Sequence, residues 1–100
     1  MSAVNPVSDQ TLTVDSTAGG VSLTIPTNAK RCYIEIHTNS IYYTFDGGTP
    51  ASGNGGRADP GDIIDLMGTD DKDDMRKAMA GWRGLEQSST DALAIIHYFE

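Results

Sequence analysis

Ile41-Tyr42-Tyr43-Thr44-Phe45-Asp46-Gly47-Gly48-Thr49-Pro50 is the stretch whose reading decides the fold. Ile41, Tyr43 and Phe45 alternate with Tyr42, Thr44 and Asp46, and successive strand side chains face opposite sides of a sheet. β-branched and aromatic residues fill nearly every position, the composition that suits a pleated, half-buried surface. The strand is expected to stop at Asp46-Gly47-Gly48, where an aspartate can bond its own backbone and glycine accepts positive φ. From Thr49 to Gly61 there is no apolar run, only glycines, two prolines, two alanines, Arg57 and short polar residues, so a long loop is expected there.

Upstream, Arg31 to Thr38 alternates as well, with Cys32, Ile34 and Ile36 on one face and Tyr33, Glu35 and His37 on the other. The short Thr38-Asn39-Ser40 connection predicts a hairpin between these two strands, placing them side by side at the centre of a sheet. Gln10–Val14 and Val21–Ile25 read as two further polar–apolar strands separated by Gly19-Gly20. Met1 to Ser8, interrupted by Asn5-Pro6, reads as a loose arm.

Downstream, Asp62–Leu66 reads as a strand ended by Gly68. Thr69 to Ala80 reads as one or two helical turns, with Thr69 or Asp70 as cap and acids ahead of Arg76 and Lys77. Met75 and Met79 stand at i and i+4 on its apolar stripe. Trp82–Gln87 reads as a short strand with Trp82 as a core anchor. Ala92–Glu100, dense in Leu, Ile, Tyr and Phe, reads as a central strand covered on both faces or packed on another subunit.

About seven short strands with one short helix near 70–80 predict a mainly β protein: a single antiparallel β-sandwich, jelly-roll or immunoglobulin-like in connection. One domain over 10–100 is expected, preceded by a flexible arm over 1–9. Ile34, Ile36, Tyr43, Phe45, Ile64 and Leu66 are expected to line the space between the sheets, so Phe45→Ala is expected to cost about 3–5 kcal/mol. Cys32, the single cysteine, is expected to be a small core residue.

Fourteen acids stand against seven bases, a formal charge of −7. Such a surface repels phosphate backbones and anionic lipid, so neither nucleic acid nor membrane is expected as a partner. No apolar run approaches the ~18 residues of a membrane span, and no basic-then-apolar leader opens the sequence.

Asp70-Asp71-Lys72-Asp73-Asp74 does not make a calcium loop. Counted from Asp70, Lys72, Met75 and Gly81 occupy the third, sixth and twelfth positions, where an EF-hand needs an oxygen ligand, glycine and glutamate. His37 and His97 lack a third ligand for zinc. Neither a Gly-x-Ser-x-Gly elbow nor a phosphate loop occurs, and the glycines of 47–61 do not follow a dinucleotide pattern. Catalysis, cofactors and metals are therefore not expected.

Ile41–Pro50 followed by Ala58-Asp59-Pro60-Gly61-Asp62-Ile63-Ile64-Asp65-Leu66 resembles small virion proteins of tailed bacteriophages. They share an aromatic strand running into an Asp-Gly-Thr-Pro-like turn, a Gly/Ala loop, a Gly-Asp strand start and a terminal strand ending in an aromatic pair. Trp82–Leu85 and Ile95–Phe99 resemble that group more weakly, and the acidic segment 69–81 departs from it.

The resemblance implies a non-enzymatic virion structural protein, foremost a capsid decoration (cement) protein on the outer particle surface, made in the bacterial host cytoplasm. The major capsid protein or another virion protein would be its partner, and a homo-oligomer, a trimer foremost, its working form. Asn5, Pro6 and Val7 of the arm, with Asp46, Gly47, Thr49, Pro50, Asn54 and Arg57 of the loop, are the expected partner-binding residues, because these segments cannot build a core of their own. The alternative is a carbohydrate- or receptor-binding module of a phage fibre or tail, with Tyr33, Tyr42 or Tyr98 as an aromatic platform.

Overall fold

The computed structural model describes residues 5–68 and 74–100. Its strands are β1 (Pro6–Val14), β2 (Arg31–His37), β3 (Ile41–Thr44), β4 (Gly56–Ala58), β5 (Ile63–Leu66), β6 (Arg83–Glu86) and β7 (Ala92–Phe99), with helix α1 (Arg76–Gly81) between β5 and β6. Two antiparallel sheets, ordered β1-β7-β2-β5 and β4-β3-β6, form a β-sandwich.

The connection, left open by the sequence, follows from the pairs. Val21 and Gly84 exchange both backbone hydrogen bonds, at 2.8 and 2.9 Å, so Val21 bridges segment 21–25 to β6, but the strand expected over Val21–Ile25 does not form beyond that single bridge. With that bridge included, the pairs nest: β1 with β7, segment 21–25 with β6, β2 with β5, and β3 with β4. A long hairpin with nested rungs, rolled so that successive rungs fall in alternate sheets, is the jelly-roll scheme. The immunoglobulin order is not followed, since β7 lies between β1 and β2.

Alternation decides which side chains fill the space between the sheets. Cys32, Ile34 and Ile36 of β2, Ile64 and Leu66 of β5, and Ala94, Ile96 and Tyr98 of β7 point inward and are buried. Ile41 of β3 and Trp82, just before β6, meet them from the other sheet in one apolar cluster. Burial pushes the Cys32 thiol up to about 12, with Asp65 adding to the effect, so it packs as an inert apolar group. Tyr98 is buried too, its hydroxyl donating to Gln10 Oε1 at 2.6 Å.

Several expectations are corrected. β2 and β3 do not form a hairpin: they belong to different sheets. Thr38 adopts a left-handed φ of 70° and carries the chain across the sandwich. Its hydroxyl donates to His37 O and accepts the Leu93 N–H, which ties this corner to β7. The crossing lets Ile34 and Ile36 face Ile41 through the core, whereas a hairpin would have left one apolar set uncovered.

The arm is shorter than expected, because residues 6–9 already pair with β7 as part of β1, across a bulge between Pro6 and Ser8. Residues 1–4 lie outside the described residues. The loop 47–61 is also more ordered than expected: Ala51 and Asn54 close a tight turn, and Gly56–Ala58 return as β4. Thr69 and Asp70, the expected helix caps, lie outside the described residues, as does most of the acidic run. The helix starts at Arg76, whose N–H is accepted by Asp74 Oδ1 at 2.9 Å, and it buries Met79.

The largest correction is Phe45. β3 ends at Thr44, which is buried and donates its hydroxyl to Gly48 O at 2.7 Å. Alternation stops there, so Phe45 is turned outward and is 42% exposed. Phe45→Ala should therefore cost about 1 kcal/mol rather than the 3–5 of a core aromatic. A urea titration checks this, and a loss above about 3 kcal/mol would return Phe45 to the core.

Candidate interaction end and the His97 cluster

Helix α1 spans one end of the sandwich because both of its termini are tied down. At its start, Met75 N–H bonds Lys30 O at 2.7 Å, next to the first residue of β2. Arg76 Nη1 donates to Ala29 O at 2.5 Å and to Thr27 O at 3.2 Å, fastening the helix to the 26–29 turn. At its end, Gly81 O accepts the Gly47 N–H at 2.7 Å. A Cβ at Gly81 would stand 2.1 Å from Phe45 O, so glycine is what lets the helix abut the strand exit of the other sheet.

This end carries most of the residues expected to meet a partner. Asp46 caps its own turn, Oδ1 accepting the Gly48 N–H at 2.9 Å, and Gly47 holds φ 79°. Both line an open cleft of about 850 Å³ whose other walls include Phe45, Met75, Lys77 and Arg83. Phe45 meets Tyr43 edge-on, centroids 5.5 Å apart. Asn5, Pro6 and Val7 reach the same end along the other sheet, since Pro6 pairs with Phe99, which pairs with Arg31 beside Lys30. Asn5 is tied to Glu100, whose N–H donates to Asn5 O at 2.9 Å, while Val7 packs partly against the core.

The remaining expected residues divide. Thr49 and Asn54 are exposed, with Asn54 Nδ2 donating to Thr49 O at 2.8 Å. Pro50 is fully buried, close to where a Cβ at Gly20 would stand, so it is a packing residue and not a contact for a partner. Arg57 lies in β4 and pairs with Asp59 at 2.9 Å, away from the α1 end. Phe45, Lys77 and Arg83 were missed as surface residues; the signal was the Asp46-Gly47 turn, which breaks alternation one residue early.

A second cluster sits on the outer face of the four-stranded sheet. Both ring nitrogens of His97 face carboxylate oxygens, Nε2 meeting Glu35 Oε2 at 2.7 Å and Nδ1 meeting Asp9 Oδ1 at 2.9 Å, so the protonated ring donates to both. The Tyr33 ring stacks on it at 4.5 Å and lies 5.9 Å from Phe99. This order follows from register, because Asp9, His97, Tyr33 and Asp65 form one row across β1, β7, β2 and β5. The two carboxylates occupy opposite nitrogens of the ring and cannot converge on one ion. Among the described residues no group of three or more His, Cys, Asp or Glu could hold a metal. His37, at the other end of β2, pairs with Leu93 and does not join His97.

The hydrogen bond to Glu35, with that to Asp9, holds His97 above the ordinary imidazole value of 6.5, against the opposing effect of burial. A folded-state value above the unfolded one means that the protonated ring favours the native state. That stabilisation is complete below about pH 6.5 and is lost as pH rises through the folded value. The melting temperature should therefore fall from pH 6 upward into the alkaline range, and His97→Gln should flatten this slope. A parental slope in the variant would assign the effect to other groups.

No family model, no curated protein and no solved structure matches the chain.

Proposed function

We propose that this chain is a non-enzymatic structural protein of a tailed-bacteriophage virion, a capsid decoration protein that docks through the end of the sandwich covered by α1. One observation carries the docking surface. Phe45, read from sequence as core, stands 42% exposed on the wall of an open cleft. Exposed aromatics in a concave, partly apolar setting are the groups that most often dominate binding energy.

Asp46 and Gly47 beside it, and Asn5–Val7 at the same end, belong to the segments expected to meet a partner. The resemblance of Tyr42–Pro50 and Gly61–Leu66 to small virion proteins supplies the biological setting. The jelly roll is compatible with it, as a scaffold recurring in viral capsid and lectin domains, but fold alone does not assign function.

The test adds purified protein to capsids assembled without it and, separately, to immobilised host glycans. Saturable binding to capsid lattice sites, weakened at least about tenfold by Phe45→Ala, is expected from loss of an aromatic anchor. Binding to glycans alone, dependent on Tyr33 or Tyr42, would replace this reading with the fibre or tail receptor-binding one. Tyr98 cannot serve in that alternative, because it is buried with its hydroxyl on Gln10.

A further inference from the structure

The sandwich has four sheet edges, and they are protected very unequally. A bare edge strand offers a row of unpaired N–H and C=O groups to any second chain, and proteins blunt such edges with charge, shortness, bulges or cover. β4 is three residues long and carries Arg57. β5 is four residues long, with Asp65 inside it and Asp62 just before it. β6 carries Arg83 and Glu86, and its outer side is taken by the Val21 bridge.

β1 differs in length, in charge and in cover. It is nine residues long and outermost in its sheet, and Asp9 is its single charge. Its bulge and Pro6 protect only the first residues, leaving Ser8–Val14 in regular register. Among the described residues, no backbone hydrogen bond joins residues 6–14 to anything but β7. Even the neighbouring Thr24 N–H goes to the Gln10 side chain, at 3.1 Å, and not to the strand backbone.

We infer that the free edge of β1 pairs antiparallel with β1 of a second copy of this chain, joining two four-stranded sheets into one. The occupant follows from charge and pattern. On a chain of net charge −7, most faces repel a second copy, but a strand with one acid over its length does not. An antiparallel self-pair centred on Thr11 sets Asp9 against Thr13 of the partner subunit, so no like charges meet. Main-chain bonds then supply the attraction, as in strand addition generally. The contact is isologous and closes as a two-fold dimer, which differs from the three-fold arrangement implied by the resemblance. The inference stands apart from the capsid reading, since a dimer in solution can form whether or not the chain binds capsids.

Thr11 provides the test, because it is exposed, faces outward opposite Ile95, and would lie beside its own copy on the two-fold axis. A contact built on one strand pair belongs to the small, weak class, so sedimentation equilibrium should run from about 5 to about 500 µM. The parent chain is expected to rise from 10.7 kDa toward twice that mass. Thr11→Lys and Thr11→Glu should each stay at the single-chain mass with unchanged far-ultraviolet circular dichroism, because like charges would face each other. An equimolar mixture of the two should recover the rise. A parent that remains at single-chain mass throughout, single variants that associate like the parent, or a mixture that stays monomeric would each overturn the inference.

Discussion

Trp82→Ala should lower the unfolding free energy by about 3–5 kcal/mol, a large part of the roughly 5–15 that a domain of this size possesses. Trp82 is fully buried and is the largest such side chain among the described residues. Its ring lies over Gly84, where an added Cβ would come within 2.4 Å of Cη2, so strand and ring are fitted to one another. Removing the ring leaves a cavity between the sheets that neighbours held in strands cannot collapse to fill.

Trp82→Phe should be much milder. It keeps most of the apolar volume and removes the indole Nε1–H, which is buried without a hydrogen-bond partner among the described residues. Denaturant titration of both variants checks the pair. Equal losses for Ala and Phe would mean that the volume of the ring is not what matters.

Gly55→Ala should be the second costly change, at about 2–5 kcal/mol, combining backbone strain with overpacking. Gly55 sits at φ 96° just before β4, and its added Cβ would stand 2.2 Å from Tyr43 O. Tyr43 pairs with Gly56, so the clash falls inside the β3–β4 ladder. Gly53 is the internal control. Its φ is 80° but nothing lies within 4 Å, so Gly53→Ala should show the strain alone, about 1–2 kcal/mol. Thermal melts that fall equally for the two variants would remove the close approach from the account.

How much of this was legible in the sequence depends on whether the deciding interaction was local. β7 was readable as a central strand from its apolar density, and it does lie between β1 and β2, but the cover expected on both faces is found on one: Ala92, Ala94, Ile96 and Tyr98 are buried while the alternate residues are half-exposed. Cys32, Ile34, Ile36, Ile64 and Leu66 were readable as core from alternation alone. Trp82 was readable from its apolar neighbours.

Partner choice was not local. A short Thr-Asn-Ser connection suits a hairpin, yet the two apolar faces it joins gain more by meeting across the core than by sharing one. Segment 21–25 shows another limit, since alternation records burial and not pairing. Leu23 and Ile25 do pack on the core, but apart from the Val21 bridge the segment forms no strand ladder. At the candidate site, Asp46-Gly47 was readable as a turn. The exposure of Phe45 was not, because the strand ends one residue sooner than its composition suggests.

The central claim is that the chain is a long hairpin rolled into two sheets, with β2 and β3 in different layers and the α1 end built where their neighbours meet. Cross-strand Hα and amide nuclear Overhauser contacts test this most directly. The account predicts contacts between Thr11 and Ile95, Ile34 and Ile64, Tyr42 and Arg57, and Val21 and Gly84, with none of the ladder type between residues 31–37 and 41–44. A continuous ladder joining 31–37 to 41–44, with contacts from Val21 to Val14 and Leu12 in place of Gly84, would contradict it.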